Sequence, residues 1–181
     1  MKGIVFTEFL DMVEKEHGYE LVDQMINECD LSSGGVYTSV GTYDHAEIVT
    51  LVSWLSNYSG EPVPELLRQY GKYLHNTFVA NYGHFFDQEK DCFSFLESID
   101  QYIHIEVQKI YPDAELPTFE TKRINEHCLE MIYRSKRKMS DFASGLIEKS
   151  LEYYGEKASL ERVFIEPDGS VVKFVITKSQ S

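Results

Sequence analysis

A chain of 181 residues can bury one sizeable core and is too short for several domains. Seventeen basic against thirty acidic residues leave a net charge of −13, which repels phosphate backbones and anionic lipid, so neither nucleic acid nor a membrane is an expected partner. The cysteines, Cys29, Cys92 and Cys128, are odd in number, far apart and without zinc spacing, which fits a reducing cytoplasm; no signal-peptide layout and no bilayer-length apolar run is present.

Val5, Phe9, Met12 and Val13 recur at three and four residues, so about 4–17 reads as an amphipathic helix ending at Gly18, with a second at about 19–29. Leu31-Ser-Ser-Gly-Gly reads as a loop. Asp44 is placed to cap a helix through Ile48, Leu51, Val52 and Leu55 that stops at 57–60. Pro62 and Pro64 open the next helix, through Leu66, Leu67, Tyr70, Leu74 and Phe78, in which Gly71 marks a close approach or a hinge. Asn81 to Phe86 reads as a turn, followed by a long stripe of Leu96, Ile99, Ile103, Val107 and Ile110 that Pro112 stops. Beyond it the character changes. Pro117 to Ile124 and Cys128 to Arg137 read as strands, 139–154 as a helix ending at Gly155, and 160–166 with 170–178 as a hairpin across Pro167-Asp168-Gly169. The expected class is α+β, a helical N-terminal part packed on a four-stranded antiparallel sheet with further helices.

Two features carry chemistry. In an extended Met131 to Arg137, the period of two puts Tyr133, Ser135 and Arg137 on one face, and a phenol, a hydroxyl and a guanidinium fork together suit a pair of carboxylates such as haem propionates. The same pattern is also the polar side of a half-exposed strand. His104 lies on the 93–111 helix beside the apolar stripe, with Asp100 one turn earlier. A neutral imidazole there can serve as a proximal iron ligand held by its second nitrogen, or simply sit at a boundary.

With these residues in this order, the chain resembles the haem–nitric oxide/oxygen-binding (H-NOX) family, also found as sensor regions of soluble guanylate cyclases. The likeness runs from Met1-Lys2-Gly3 to the final hairpin and is closest from Tyr133 to Gly145. It implies one domain over 1–181, with a helical part at about 1–60, a haem-ligating and sheet part at about 61–181, and haem b (iron protoporphyrin IX) between them. By the same resemblance His104 matches the proximal ligand, Tyr133, Ser135 and Arg137 the propionate-binding triad, and Pro117 the proline that distorts the macrocycle. Val5, Phe9, Leu74, Phe78, Phe142 and Leu146 fall at pocket positions. Oxygen-binding members place a tyrosine where this chain has Phe142, so the resemblance implies a sensor of nitric oxide and carbon monoxide that excludes O2. Tyr70 is the nearest rival donor.

The resemblance further implies a sensor rather than an enzyme, acting on a separate histidine kinase or, alternatively, a diguanylate cyclase. A peroxidase-like haem enzyme would need a distal His and Arg pair, which is not evident. A cofactor-free interaction module is the remaining alternative, and it would be colourless.

Overall fold

The structure, a computed structural model, describes residues 1–179. Helix α1 (Ile4–His17) buries Phe6, Phe9, Met12 and Val13 along one stripe, and α2 (Tyr19–Glu28) folds back on it through Leu21, Val22 and Met25. Helix α3 (His45–Ser59) opens where the Asp44 carboxylate accepts from the Ala46 amide at 2.9 Å, satisfying a first-turn donor that the helix itself cannot. The loop before α3 is pinned from inside. Glu47, almost fully buried, accepts from the hydroxyls of Ser32 (2.5 Å), Ser33 (2.5 Å) and Tyr37 (2.6 Å), so its charge is stabilised by hydrogen bonds rather than by a cation.

Helix α4 (Val63–Asp87) is longer than the sequence suggests. Asn81 to Phe86 is helix, not a turn, with a kink at Tyr82 (φ −134°, ψ 30°). Burial overrides the turn-forming residues, because continuing the helix buries Phe85 and stacks Phe86 on Phe95 at 4.4 Å. The expected helix of 93–111 is three segments: α5 (Cys92–Ser98), a π-helical turn (Ile99–Ile103) and α6 (His104–Ile110).

Strands β1 (Thr118–Asn125), β2 (Cys128–Arg134), β3 (Ala158–Phe164) and β4 (Val171–Lys178) form one antiparallel sheet in the order β1-β2-β4-β3. Alternation along β2 and β4 turns Leu129, Met131, Tyr133, Val172, Phe174 and Ile176 inward. That face forms one core with α5, the end of α4 and helix α7 (Ser140–Tyr153). A second core lies among α1, α2, α3 and the first half of α4, and Phe78 borders both.

The two halves meet along α4 and α7. A methyl group built on Gly71 would lie 2.2 Å from the Phe142 carbonyl oxygen, and one on Gly145 would lie 2.0 Å from that of Arg68. Gly71 is therefore a close approach. Arg68 and Lys72 brace the seam against Glu148 at 2.9 and 2.8 Å. Among the described residues no helix is long and apolar enough to cross a membrane.

Candidate cofactor site

The residues singled out in the sequence fall into two groups. The first is apolar and lies at the edge of the N-terminal core. Phe9 and Leu74 are buried, while Val5, Phe78, Phe142 and Leu146 are only partly covered. At their centre stands Tyr70, edge-on to Phe9 at 5.2 Å and tilted against Phe142 at 5.2 Å. Its hydroxyl donates to the Val5 carbonyl at 2.5 Å, and burial pushes its ionisation far above the ordinary phenol range. The rival distal donor thus has its proton committed to the backbone.

The second group is polar. Strand β2 ends at Arg134, so the alternation that would align Tyr133, Ser135 and Arg137 on one strand stops after Tyr133. A tight turn replaces it, in which Lys138 takes φ 55° and the Ser135 hydroxyl accepts from the Arg137 amide at 3.2 Å. The Tyr133 hydroxyl accepts from the Met139 amide at 3.0 Å. Both hydroxyls are oriented by backbone amides and keep their own protons to give. The Arg137 fork holds the Glu115 carbonyl at 2.6 Å and its carboxylate at 3.1 Å, although the Glu115 side chain is 87% exposed. Arg137 is already in a carboxylate-binding pose, on an occupant that solvent can reclaim.

His104 opens α6 directly after the π turn, and π segments often mark functional positions because the extra residue redirects a side chain. Its Nδ1 is buried without a hydrogen bond, 3.4 Å from Asp100 Oδ1. Asp100 Oδ1 accepts instead from the Phe119 amide at 3.2 Å, so one carboxylate sits between the histidine and the start of β1. Burial lowers the His104 pKa below the ordinary imidazole value, with Asp100 opposing, and the neutral form with a free lone pair is favoured. A chain of rings then joins the histidine to the polar group, His104 to Phe119 at 5.8 Å and Phe119 to Tyr133 at 5.7 Å. Pro117, partly covered, sits two residues before Phe119.

Three oriented donors, a neutral histidine with an orphaned nitrogen and an apolar group of partly covered side chains fit a haem. Among the described residues no cluster of three or more His, Cys, Asp and Glu could hold a bare metal ion. Phe119 and Glu115 escaped the sequence reading. Phe119 had a signal in its register, since it faces Tyr133 across the β1–β2 pair; Glu115 lies in an irregular segment and had none.

The family model described as Haem-NO-binding matches residues 2–162. The chain belongs to the H-NOX family. Among solved structures it is similar to the unliganded Fe(II) H-NOX protein of K. algicida, at 42% identity and a TM-score of 0.95, covering 100% of this chain and 98% of that one. It is also similar to the H-NOX of Shewanella woodyi, solved with IWP-051 in the Fe(II)CO state, at 40% identity and a TM-score of 0.85 over 99% and 95% of the two chains. The S. oneidensis H-NOX in the Fe(II)NO state, 22% identical, shares the fold at a TM-score of 0.92 over 99% and 100%. No curated protein matches. H-NOX domains bind haem and sense gases; they are sensors, not enzymes.

Proposed function

We propose that this H-NOX chain senses nitric oxide, binds carbon monoxide as well, and excludes O2. The observation that carries the ligand choice is the apolar distal group, in which Phe142 has no hydroxyl and Tyr70 spends its own on Val5. Dioxygen on ferrous iron needs a hydrogen-bond donor beside it, whereas nitric oxide and carbon monoxide do not.

The cofactor in this reading is haem b, which supplies the gas-binding iron. His104 would hold the iron, with Asp100, whose Oδ1 lies 3.4 Å from its Nδ1, as the positioning residue. Tyr133, Ser135 and Arg137 take the propionates, Glu115 giving way to them. Pro117 presses on the ring, and Val5, Phe9, Leu74, Phe78, Phe142 and Leu146 line its apolar surroundings. The haem then lies between a helical part at about 1–60 and the sheet part at about 61–181.

Release of His104 on nitric oxide binding would free α6 and let the N-terminal helices shift against the sheet part. The output is read in the cytoplasm by a separate histidine kinase, or alternatively a diguanylate cyclase.

The test is His104→Gly. The variant should fold and show an altered ferrous absorption spectrum that added imidazole restores toward wild type. An unaltered spectrum, or wild-type protein that stays colourless when offered haemin, contradicts the assignment.

A further inference from the structure

The segment that follows α6 is clipped to the very start of the chain. Lys2 and Thr42 face each other in an isolated antiparallel bridge. Lys2 Nζ donates to Thr42 Oγ1 at 2.9 Å and reaches Asp113 Oδ1 at 3.3 Å, and Thr42 Oγ1 donates to Asp113 Oδ2 at 2.6 Å. The Lys2 ammonium also lies 4.8 Å from the centre of the Tyr111 ring, and its side chain is only 14% exposed. Tyr111 closes the last turn of α6 through its amide on Val107 at 2.8 Å, and its carbonyl accepts from Ala114 at 2.9 Å.

Placement separates this clip from the other ties of the N-terminal helices. Tyr73 to Asp11, Thr77 to Glu8 and Tyr70 to Val5 all run to α4. Among the described residues of the N-terminal part, 1–60, only Lys2 and Thr42 make hydrogen bonds to residues downstream of His104, both of them to Asp113. Helix α6 spans seven residues, about 10 Å at the usual rise, with His104 at one end and the Tyr111–Asp113 clip just past the other. A short rigid helix carries a displacement from end to end, and hydrogen bonds fail once stretched by an ångström or so.

We propose that Asp113, gripping Lys2 and Thr42, is a latch that holds the N-terminal helices against the segment after α6 while His104 is tethered, and that opens when α6 moves. The latch rests on the reading of His104 as the ligand that lets go. It makes the two halves a two-state element whose closed form is stabilised by a charge network open to solvent on its Asp113 side, weak enough for a ligand to overcome.

The experiment measures the distance between gadolinium spin labels at Asp23→Cys on α2 and Glu161→Cys on β3, in the haem-loaded chain carrying Cys29→Ser and Cys128→Ser, with and without nitric oxide. Wild type should show a distance that nitric oxide shifts. The Asp113 side chain is 59% exposed, so Asp113→Ala keeps the fold, which haem content and circular dichroism verify. That variant should populate the displaced distance without nitric oxide, with the ratio of displaced to docked forms raised about tenfold, within the usual range of allosteric coupling. Lys2→Glu combined with Asp113→Lys should restore the docked distance. An Asp113→Ala protein with the wild-type distribution in the absence of nitric oxide overturns the latch. Failure of the His104 reading is distinguished by the visible spectrum of the same wild-type samples: unchanged axial ligation on nitric oxide overturns that reading, while the gas-free arm still decides the latch.

Discussion

At the scale of single residues, the triad joins geometry to affinity most directly. Arg137 offers a charged fork, whereas Ser135 offers one neutral hydroxyl already anchored by the Arg137 amide. A charge-assisted bidentate contact is worth about twice a neutral one. Arg137→Ala should therefore release haem to apomyoglobin markedly faster than Ser135→Ala, and equal release rates would mean the propionates are held elsewhere. His75 gives a second test. Its side chain is 98% covered by α4 and α7, both ring nitrogens lack partners, and burial together with the nearby Lys149 charge lowers its pKa to about 4. The unfolded chain, at the ordinary imidazole value of 6.5, binds the proton more readily, so stability is full above that value and falls as pH drops toward 4. Between pH 7 and pH 5 this site should cost about 2 kcal/mol, and His75→Phe should remove that part of the slope. Urea titrations of both proteins at the two pH values check it; parallel losses would show that His75 is not the group responsible.

At the scale of elements, the α4–α7 seam is packed tightly enough for a single methyl group to probe. At Gly145 the obstacle is the Arg68 backbone carbonyl, which cannot swing aside as a flexible side chain would. Overpacking of this kind costs roughly 1–3 kcal/mol, so Gly145→Ala should lower Tm by several degrees in a chain of this length. A thermal scan with an unchanged midpoint would mean the helices separate freely. Legibility at this scale followed periodicity. Helices α1 to α3 were readable because their apolar stripes and stops agree, with Asp44 and Gly60 as punctuation. The π turn before His104 was not, since one extra residue in a helical stripe leaves the apolar residues nearly in phase. The run through Tyr82 misled for another reason: Asn81 and Gly83 are local turn signals, while the burial of Phe85 and Phe86 is a tertiary gain invisible in the local pattern.

At the scale of the whole molecule, the class and the sheet could be read because β2 and β4 alternate cleanly, one face buried and the other partly covered. The site was legible in its residue types and less so in its geometry. Tyr133, Ser135 and Arg137 do come together, but through the turn at Lys138 rather than along a strand, and a positive φ at a lysine has no signature in a single sequence. The tie from Asp100 to the β1 backbone and the clip from Lys2 to Asp113 join residues 19 and 111 positions apart, which no periodicity connects. What these ties share is the histidine between them, and the proposed sensing depends on that histidine alone being the protein's hold on iron and on no donor standing opposite. The most direct measurement is the absorption spectrum of the reduced wild-type protein, first in air and then under nitric oxide without oxygen. The expected result is no stable O2 uptake in air, followed by a nitric oxide spectrum showing loss of the axial histidine. A persistent oxygen-bound spectrum, or a nitric oxide spectrum that retains the histidine, would contradict it.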